Sequence, residues 1–123
     1  MRVVVITGSR RGWPRPKEIF DLVGAADLLL VGDAPGVDEL ARGSARARGM
    51  AFDVFHAGWT RQGRSAGPLR NRRIAAAAHW YESLGDDDIV VECHAFPDAN
   101  SIGTLDCIAA LRDAGFHVEV HRP

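Results

Sequence analysis

Long apolar runs, paired cysteine motifs and a large excess of charge of either sign are all missing from this sequence. The longest apolar segments, residues 3–6 and 28–31, are far shorter than the roughly 20 residues that a membrane-spanning helix needs. Neither a membrane span nor a secretory signal is therefore expected. A net charge of only -1 together with 46% hydrophobic residues excludes a disordered chain and predicts one folded domain over residues 1–123.

Motifs for metals and for common cofactors are also missing. Cys93 and Cys107 do not form a C-x-x-C pair, so we expect free buried thiols in a protein of the reducing cytoplasm. The histidines have no ligand-like spacing, and no metal site is predicted. Neither G-x-G-x-x-G nor G-x-x-x-x-G-K-[ST] occurs, so neither a standard dinucleotide cofactor nor a P-loop is supported.

Apolar runs alternate with helical patterns along the whole chain. This alternation predicts an α/β fold of the Rossmann-like, three-layer type, with a five-stranded parallel sheet between helices. The strands are predicted at residues 2–7, 27–31, 51–56, 89–94 and 116–121, and the helices at residues 16–24, 37–49, 68–80 and 104–114.

Strand composition predicts the order of the sheet. The first, second and fourth strands contain continuously apolar runs, at residues 3–6, 28–31 and 89–91, which is typical of strands covered on both faces. The last strand alternates, with His117 and His121 expected to face solvent, and Asp53 interrupts the third strand. Alternation suits an edge position, so we predict the order 3-2-1-4-5, with a ligand crevice at the switch point between strands one and four.

Four loops that follow strand ends at this crevice carry glycine and polar residues. Glycine lets backbone approach a ligand closely, and helix N-termini offer free N–H groups to anions. The predicted ligand-binding residues are Gly8, Ser9, Arg10, Gly32, Gly36, Asp38, Trp59, Gly67, Pro68, Arg70, Asn71, Gly103 and Thr104.

The third of these loops is strongly basic. No acidic residue occurs between positions 55 and 81, whereas five arginines fall between positions 61 and 73. Cations at a helix start oppose the helix dipole, unless a bound phosphate reverses the interaction. We expect Arg70 to contact such a phosphate, and Arg72 and Arg73 to lie on the solvated surface.

The aspartate Asp38 and the tryptophans Trp59 and Trp13 each allow two interpretations. Asp38 can cap the start of its helix, or it can accept a hydrogen bond from a ribose hydroxyl. Trp59 and Trp13 can stack on a base, or they can cover the core.

Four segments in order resemble one family. Gly8-Ser9-Arg10, then Gly32-x-x-x-Gly36-x-Asp38, then Ala66-Gly67-Pro68-x-Arg70-Asn71, then Gly103-Thr104 are similar to the YspA/YpsA-related branch of the SLOG superfamily. The resemblance implies a Rossmann-like domain that binds or senses a nucleotide or a nucleotide-derived ligand. Related branches are the LOG phosphoribohydrolases and the DNA-processing protein DprA.

The resemblance leaves three functions open. The first is ligand binding without catalysis. The second is LOG-like cleavage of the N-glycosidic bond of a nucleoside monophosphate. Asp106 is the candidate catalytic residue, with Asp38 as the alternative, although the acidic pair of LOG enzymes is here reduced to Asp106 followed by Cys107. The third is DprA-like DNA binding, which a pI of about 6.5 disfavours. No nucleic-acid or membrane partner is predicted, and a homo-oligomer remains open.

Overall fold

The sheet has the predicted architecture. A computed structural model describes Met1–Pro123 and contains one five-stranded, all-parallel sheet in the order β3-β2-β1-β4-β5. The strands are β1 (Arg2–Gly8), β2 (Leu28–Gly32), β3 (Ala51–Phe55), β4 (Val90–Phe96) and β5 (Val118–Val120). The helices are α1 (Pro16–Gly24), α2 (Val37–Ala47), α3 (Trp59–Gln62), α4 (Ala66–Ser83) and α5 (Ile102–Asp113). The Rossmann-like prediction is confirmed.

Each face of the sheet carries its own apolar core. Successive residues of β1 alternate between the two faces, so Val4 and Ile6 pack with α1 and α2, and Val3 and Val5 pack with α4 and α5. All four of these side chains are completely buried. The continuously apolar sequence of β1 therefore reflects its central position in the sheet.

Local structure differs from the prediction in two places. Residues 59–65 were expected to form a loop, but they form α3 and a 3₁₀ turn, Gly63–Ser65, and α4 begins at Ala66 rather than at Pro68. His121 was expected to face solvent, but it is half-buried because its ring stacks on Phe96 with the ring centroids 4.3 Å apart. His117 is exposed, as predicted.

Two glycines allow the loops after β1 and β2 to meet. Gly36 has φ +79°, and a Cβ there would lie 2.2 Å from the carbonyl oxygen of Ser9. A Cβ on Gly8 would lie 2.6 Å from the Val37 side chain. Any larger side chain would push the two loops apart, so these glycines build the switch point of the sheet.

Both cysteines are buried and free, as predicted. Burial raises the pKa of the Cys93 and Cys107 thiols to about 12, so both are inert thiols rather than reactive thiolates. None of the five helices combines the length and the apolar content needed to cross a lipid bilayer.

Candidate ligand-binding site

A cavity of about 530 Å³ opens at the carboxyl ends of the central strands. It lies where the predicted switch point places a ligand, between β1 and β4 and their loops. Most of the predicted residues line it, namely Gly8, Arg10, Asp38, Trp59, Gly67, Pro68, Arg70, Gly103, Thr104 and Asp106. Its volume falls within the range of small-molecule sites, about 300–1,000 Å³.

Ser9 lies beneath the cavity rather than in its wall. It is buried, and its hydroxyl donates a 2.6 Å hydrogen bond to Asp98. Asp98 also accepts from the Ser101 hydroxyl and from the Asn100 N–H, each at 2.8 Å. The Ser9, Asn100 and Ser101 donors hold the pKa of Asp98 down at about 2. The pair of Ser9 and Asp98 therefore joins the loop after β1 to the loop after β4.

Gly32 and Gly36 also support the cavity without lining it. A Cβ on Gly32 would lie 2.6 Å from both Arg70 Nη1 and Asp38 Oδ2. The absence of a side chain at position 32 therefore lets these two charged groups approach each other. Both glycines are needed for packing, and neither lines the cavity.

Arg70 has a partner within the protein. The prediction that its charge needs a bound phosphate is therefore corrected. It is the fifth residue of α4, its side chain is only 10% exposed, and Nη1 donates to Asp33 Oδ1 at 2.8 Å. Its charge is thus compensated without any ligand. Because Arg70 also lines the cavity, a ligand can share it, but Arg70 is first a structural residue. Arg72 and Arg73 are exposed, as predicted.

A chain of hydrogen bonds continues from Arg70 to Asp106. Arg70 Nε donates to Asn71 Oδ1 at 2.9 Å, and Asn71 Nδ2 donates to Asp106 Oδ2 at 2.9 Å and to the Gly103 carbonyl at 3.2 Å. Asn71 is buried and does not line the cavity. It links α4 to α5 and orients the Asp106 carboxylate, which does line the cavity.

Asp38 is the most unusual group in the cavity wall. Its side chain is buried, Oδ2 accepts from the Ala34 N–H at 3.3 Å, and Oδ1 has no hydrogen-bond partner. It does not cap α2, since the N-cap position is Gly36 and no side chain caps that helix. Burial raises the pKa of Asp38 to about 6, although the nearby Arg70 guanidinium opposes the shift.

Three arginines in the cavity wall have no partner in the protein. Arg10, Arg11 and Arg64 are exposed, and their side chains form neither hydrogen bonds nor salt bridges with other residues. Gly103 and Thr104, in the first turn of α5, line the same cavity. The first N–H groups of a helix lack intrahelical acceptors. The unpaired arginines and the first turn of α5 therefore line the same cavity.

Trp13 and Trp59 have different roles. Trp13 is buried and packs edge-on against Phe96, with the ring centroids 5.1 Å apart, so it belongs to the core. Trp59 is 49% exposed, lines the cavity and lies against Gly67, where a Cβ would be 3.2 Å from the indole. Only Trp59 can offer a ring face to a ligand.

Sequence reasoning missed several residues of the cavity wall. Arg11 follows the predicted Arg10, and Arg64 lies three residues before the predicted Gly67. That neither side chain has a partner is visible only in the structure. Asp98 sits in the loop after β4, and its position two and three residues before Asn100 and Ser101 is the sequence signal of the turn that it closes. The other missed residues are Thr7, Ala34, Asn100, Ser101 and Ile102.

Comparison with known proteins identifies one relative. The chain is 33% identical over 130 residues to the Gene 61 protein of Mycobacterium phage D29, an alignment that covers 96% of this chain and 94% of the phage protein. This chain therefore belongs to the same family as that phage protein. No family model and no solved structure matches the chain.

Proposed function

We propose that this member of the Gene 61 protein family binds a nucleotide, or a phosphate-bearing ligand derived from one, in the cavity at the carboxyl edge of the sheet. The observation that carries the proposal is the free Oδ1 of the buried Asp38. A buried carboxylate oxygen without a donor costs stability, and a ribose hydroxyl would supply the missing donor after a small rotation of the Asp38 carboxylate towards the cavity. The family resemblance to the SLOG superfamily supports the same class of ligand.

The arrangement of charge supports a phosphate in the part of the cavity that the unpaired arginines line. Arg10, Arg11 and Arg64 are unpaired, and the first turn of α5 adds N–H groups that point to an anion. A phosphate here would pair with arginine through charge-assisted hydrogen bonds. Trp59 would then cover the base, because its exposed ring is the only free aromatic face in the wall.

The first test is a thermal-shift titration with adenosine 5′-monophosphate, its guanine, cytosine and uracil counterparts, and the four matching nucleosides. A monophosphate at about 100 times its dissociation constant should stabilise the protein by about 2.7 kcal/mol, which raises Tm by about 10 °C for a domain of this size. The nucleosides should give a much smaller shift because they cannot engage the unpaired arginines.

Arg64→Ala should abolish most of this shift and leave Tm without ligand unchanged, because Arg64 is exposed and has no partner to lose. Arg61→Ala is the matched control. Arg61 is an exposed arginine of the same segment, but it lies outside this cavity. Equal loss of the shift in both variants would show that the segment attracts anions without forming a site.

A second candidate function is hydrolysis of the N-glycosidic bond, favoured by the position of Asp106 in the cavity wall and its orientation by Asn71. The chemistry needs a carboxylate beside the sugar, and the acidic pair of LOG enzymes is incomplete here. We therefore expect no measurable release of adenine from adenosine 5′-monophosphate when products are separated by chromatography. Release that Asp106→Asn abolishes, in a variant with unchanged Tm, would establish the enzyme instead.

The proposal also covers the cellular compartment and the type of binding partner. The buried free thiols suit the reducing cytoplasm, where we place the protein. With a net charge of -1, the chain lacks the broad basic face of a DNA-binding protein, so a small molecule rather than a nucleic acid is the proposed partner.

A further inference from the structure

A second group of polar side chains lies at the opposite edge of the sheet from β3, on β4 and at the end of β5. His94 of β4 is paired in register with Glu119 of β5, and His121 follows two residues later on the same face. None of these residues lines the ligand cavity. Their sequence spacing shows no metal motif, because the register of two strands, rather than one helix or loop, brings them together.

The donor atoms of this group are spaced as metal ligands are. His94 Nδ1 lies 3.0 Å from His121 Nε2 and 3.7 Å from Glu119 Oε2. All three ligand atoms lie within 4.8 Å of one another. A tetrahedral zinc ion with bonds of about 2.0–2.1 Å separates its ligand atoms by about 3.3 Å, so small side-chain movements are enough to accommodate an ion.

Neighbouring side chains hold the rings of His94 and His121 in place. The second nitrogen of His94, Nε2, faces Glu92 Oε2 at 3.5 Å, and Glu92 is fixed by Arg2 at 2.8 Å. A carboxylate on the far nitrogen of a metal-bound histidine is the usual orienting group in such sites. His121 stacks on Phe96 with an angle of 6° between the rings, which limits its rotation.

We propose that His94, Glu119 and His121 bind a divalent transition-metal ion of the zinc type. Two imidazoles and one carboxylate are a ligand set that zinc accepts, with a fourth position left for water. Glu119 is 61% exposed, so an ion can reach the group from solvent. The ion would fasten the three-residue edge strand β5 to β4, independently of any ligand in the cavity.

The test is isothermal titration calorimetry of the untagged, metal-free protein with zinc sulfate, and visible spectroscopy with cobalt chloride. One zinc ion should bind per chain in the micromolar range or tighter, and cobalt should give the intense absorption of a tetrahedral site. Hydrogen exchange at Val118–Val120 should slow when zinc is added, since the ion joins that strand to β4.

Four variants, one of them a control, make the test specific. His121→Ala and Glu119→Gln should each weaken zinc binding at least about 100-fold, and Glu92→Gln about 10- to 100-fold. His117→Ala, at an exposed histidine outside the group, should bind zinc normally. Zinc binding weaker than millimolar, or equal binding by His121→Ala and the unmodified protein, would show that the histidines only share a hydrogen bond.

Discussion

Replacing Asp38 with asparagine should raise the free energy of unfolding by about 3 kcal/mol at pH 7.5, because a pKa of about 6 in place of 3.8 makes the ionised carboxylate unfavourable in the folded protein. Such a gain corresponds to a rise in Tm of about 10 °C. The same variant should bind the nucleotide more weakly and gain less stability from it, since an amide oxygen is a weaker acceptor for a sugar hydroxyl than a carboxylate oxygen. Stability and binding should therefore change in opposite directions.

The pH dependence of stability follows from the upward shift of the Asp38 pKa. Between about pH 4 and pH 6 the folded state keeps a proton on Asp38 that the unfolded state has lost, so this group's contribution to stability decreases as pH rises through that window. Urea denaturation should thus give nearly equal stabilities for Asp38→Asn and the unmodified protein near pH 4, and a difference of about 3 kcal/mol above about pH 7.

Asp53→Asn is the matched control, because Asp53 is an exposed aspartate of β3 with no hydrogen bond or salt bridge from its side chain. Its stability should follow that of the unmodified protein at every pH. If Asp38→Asn were less stable than the unmodified protein at pH 7.5, Asp38 would have a donor within the protein, and the argument for a ligand hydroxyl would be lost.

The second large effect concerns Arg70. Arg70→Ala should lower the free energy of unfolding by about 2–3 kcal/mol, because Asp33, whose side chain is only 24% exposed, keeps the Ala57 N–H but loses its charged hydrogen-bond partner. Asp33 loses its 2.8 Å partner, and the carboxylate of Asp38 loses the positive charge that opposes its desolvation. Chemical denaturation at neutral pH measures the effect, and Tm should fall by about 10 °C.

Arg72→Ala provides the comparison, since Arg72 is an exposed arginine two positions away and donates only to the Pro68 carbonyl. Its effect should stay within about 0.5 kcal/mol. Asp38→Asn should raise the free energy of unfolding more in the Arg70→Ala protein than in the unmodified protein. Without Arg70, no positive charge offsets the burial of the Asp38 carboxylate, so the two substitutions are coupled. An Arg70→Ala protein as stable as the unmodified one would mean that its contact with Asp33 contributes nothing.

The sequence predicts the sheet well because strand burial follows from composition. Continuous apolar runs in β1 and β2 mark central strands, and the polar Asp53 marks β3 as an edge. Parallel strands then place the loops at Gly8, Gly67 and Gly103 on one side. That the loops meet in one cavity is therefore a consequence of topology, which hydrophobic patterning determines.

Side-chain pairing could not be predicted in the same way. The contact between Arg70 and Asp33 joins residues 37 positions apart, and its geometry depends on the missing Cβ of Gly32. Positive charge at a helix start predicted an anion beside Arg70, and the structure places the Asp33 carboxylate there. The histidine group at β4 and β5 was likewise hidden, because register between strands has no signature in residue spacing.

The most direct test is calorimetric titration of the unmodified protein with the four common ribonucleoside 5′-monophosphates and with their 2′,3′-dideoxy counterparts. At least one ribonucleotide should bind, and its dideoxy form should bind about 10- to 100-fold more weakly, the effect of losing a hydrogen bond to a charged group. In Asp38→Asn this discrimination should fall to within about fivefold. Equal affinity of the unmodified protein for both forms, or no binding of any monophosphate, would contradict the assignment of the cavity as a nucleotide site with Asp38 at the sugar.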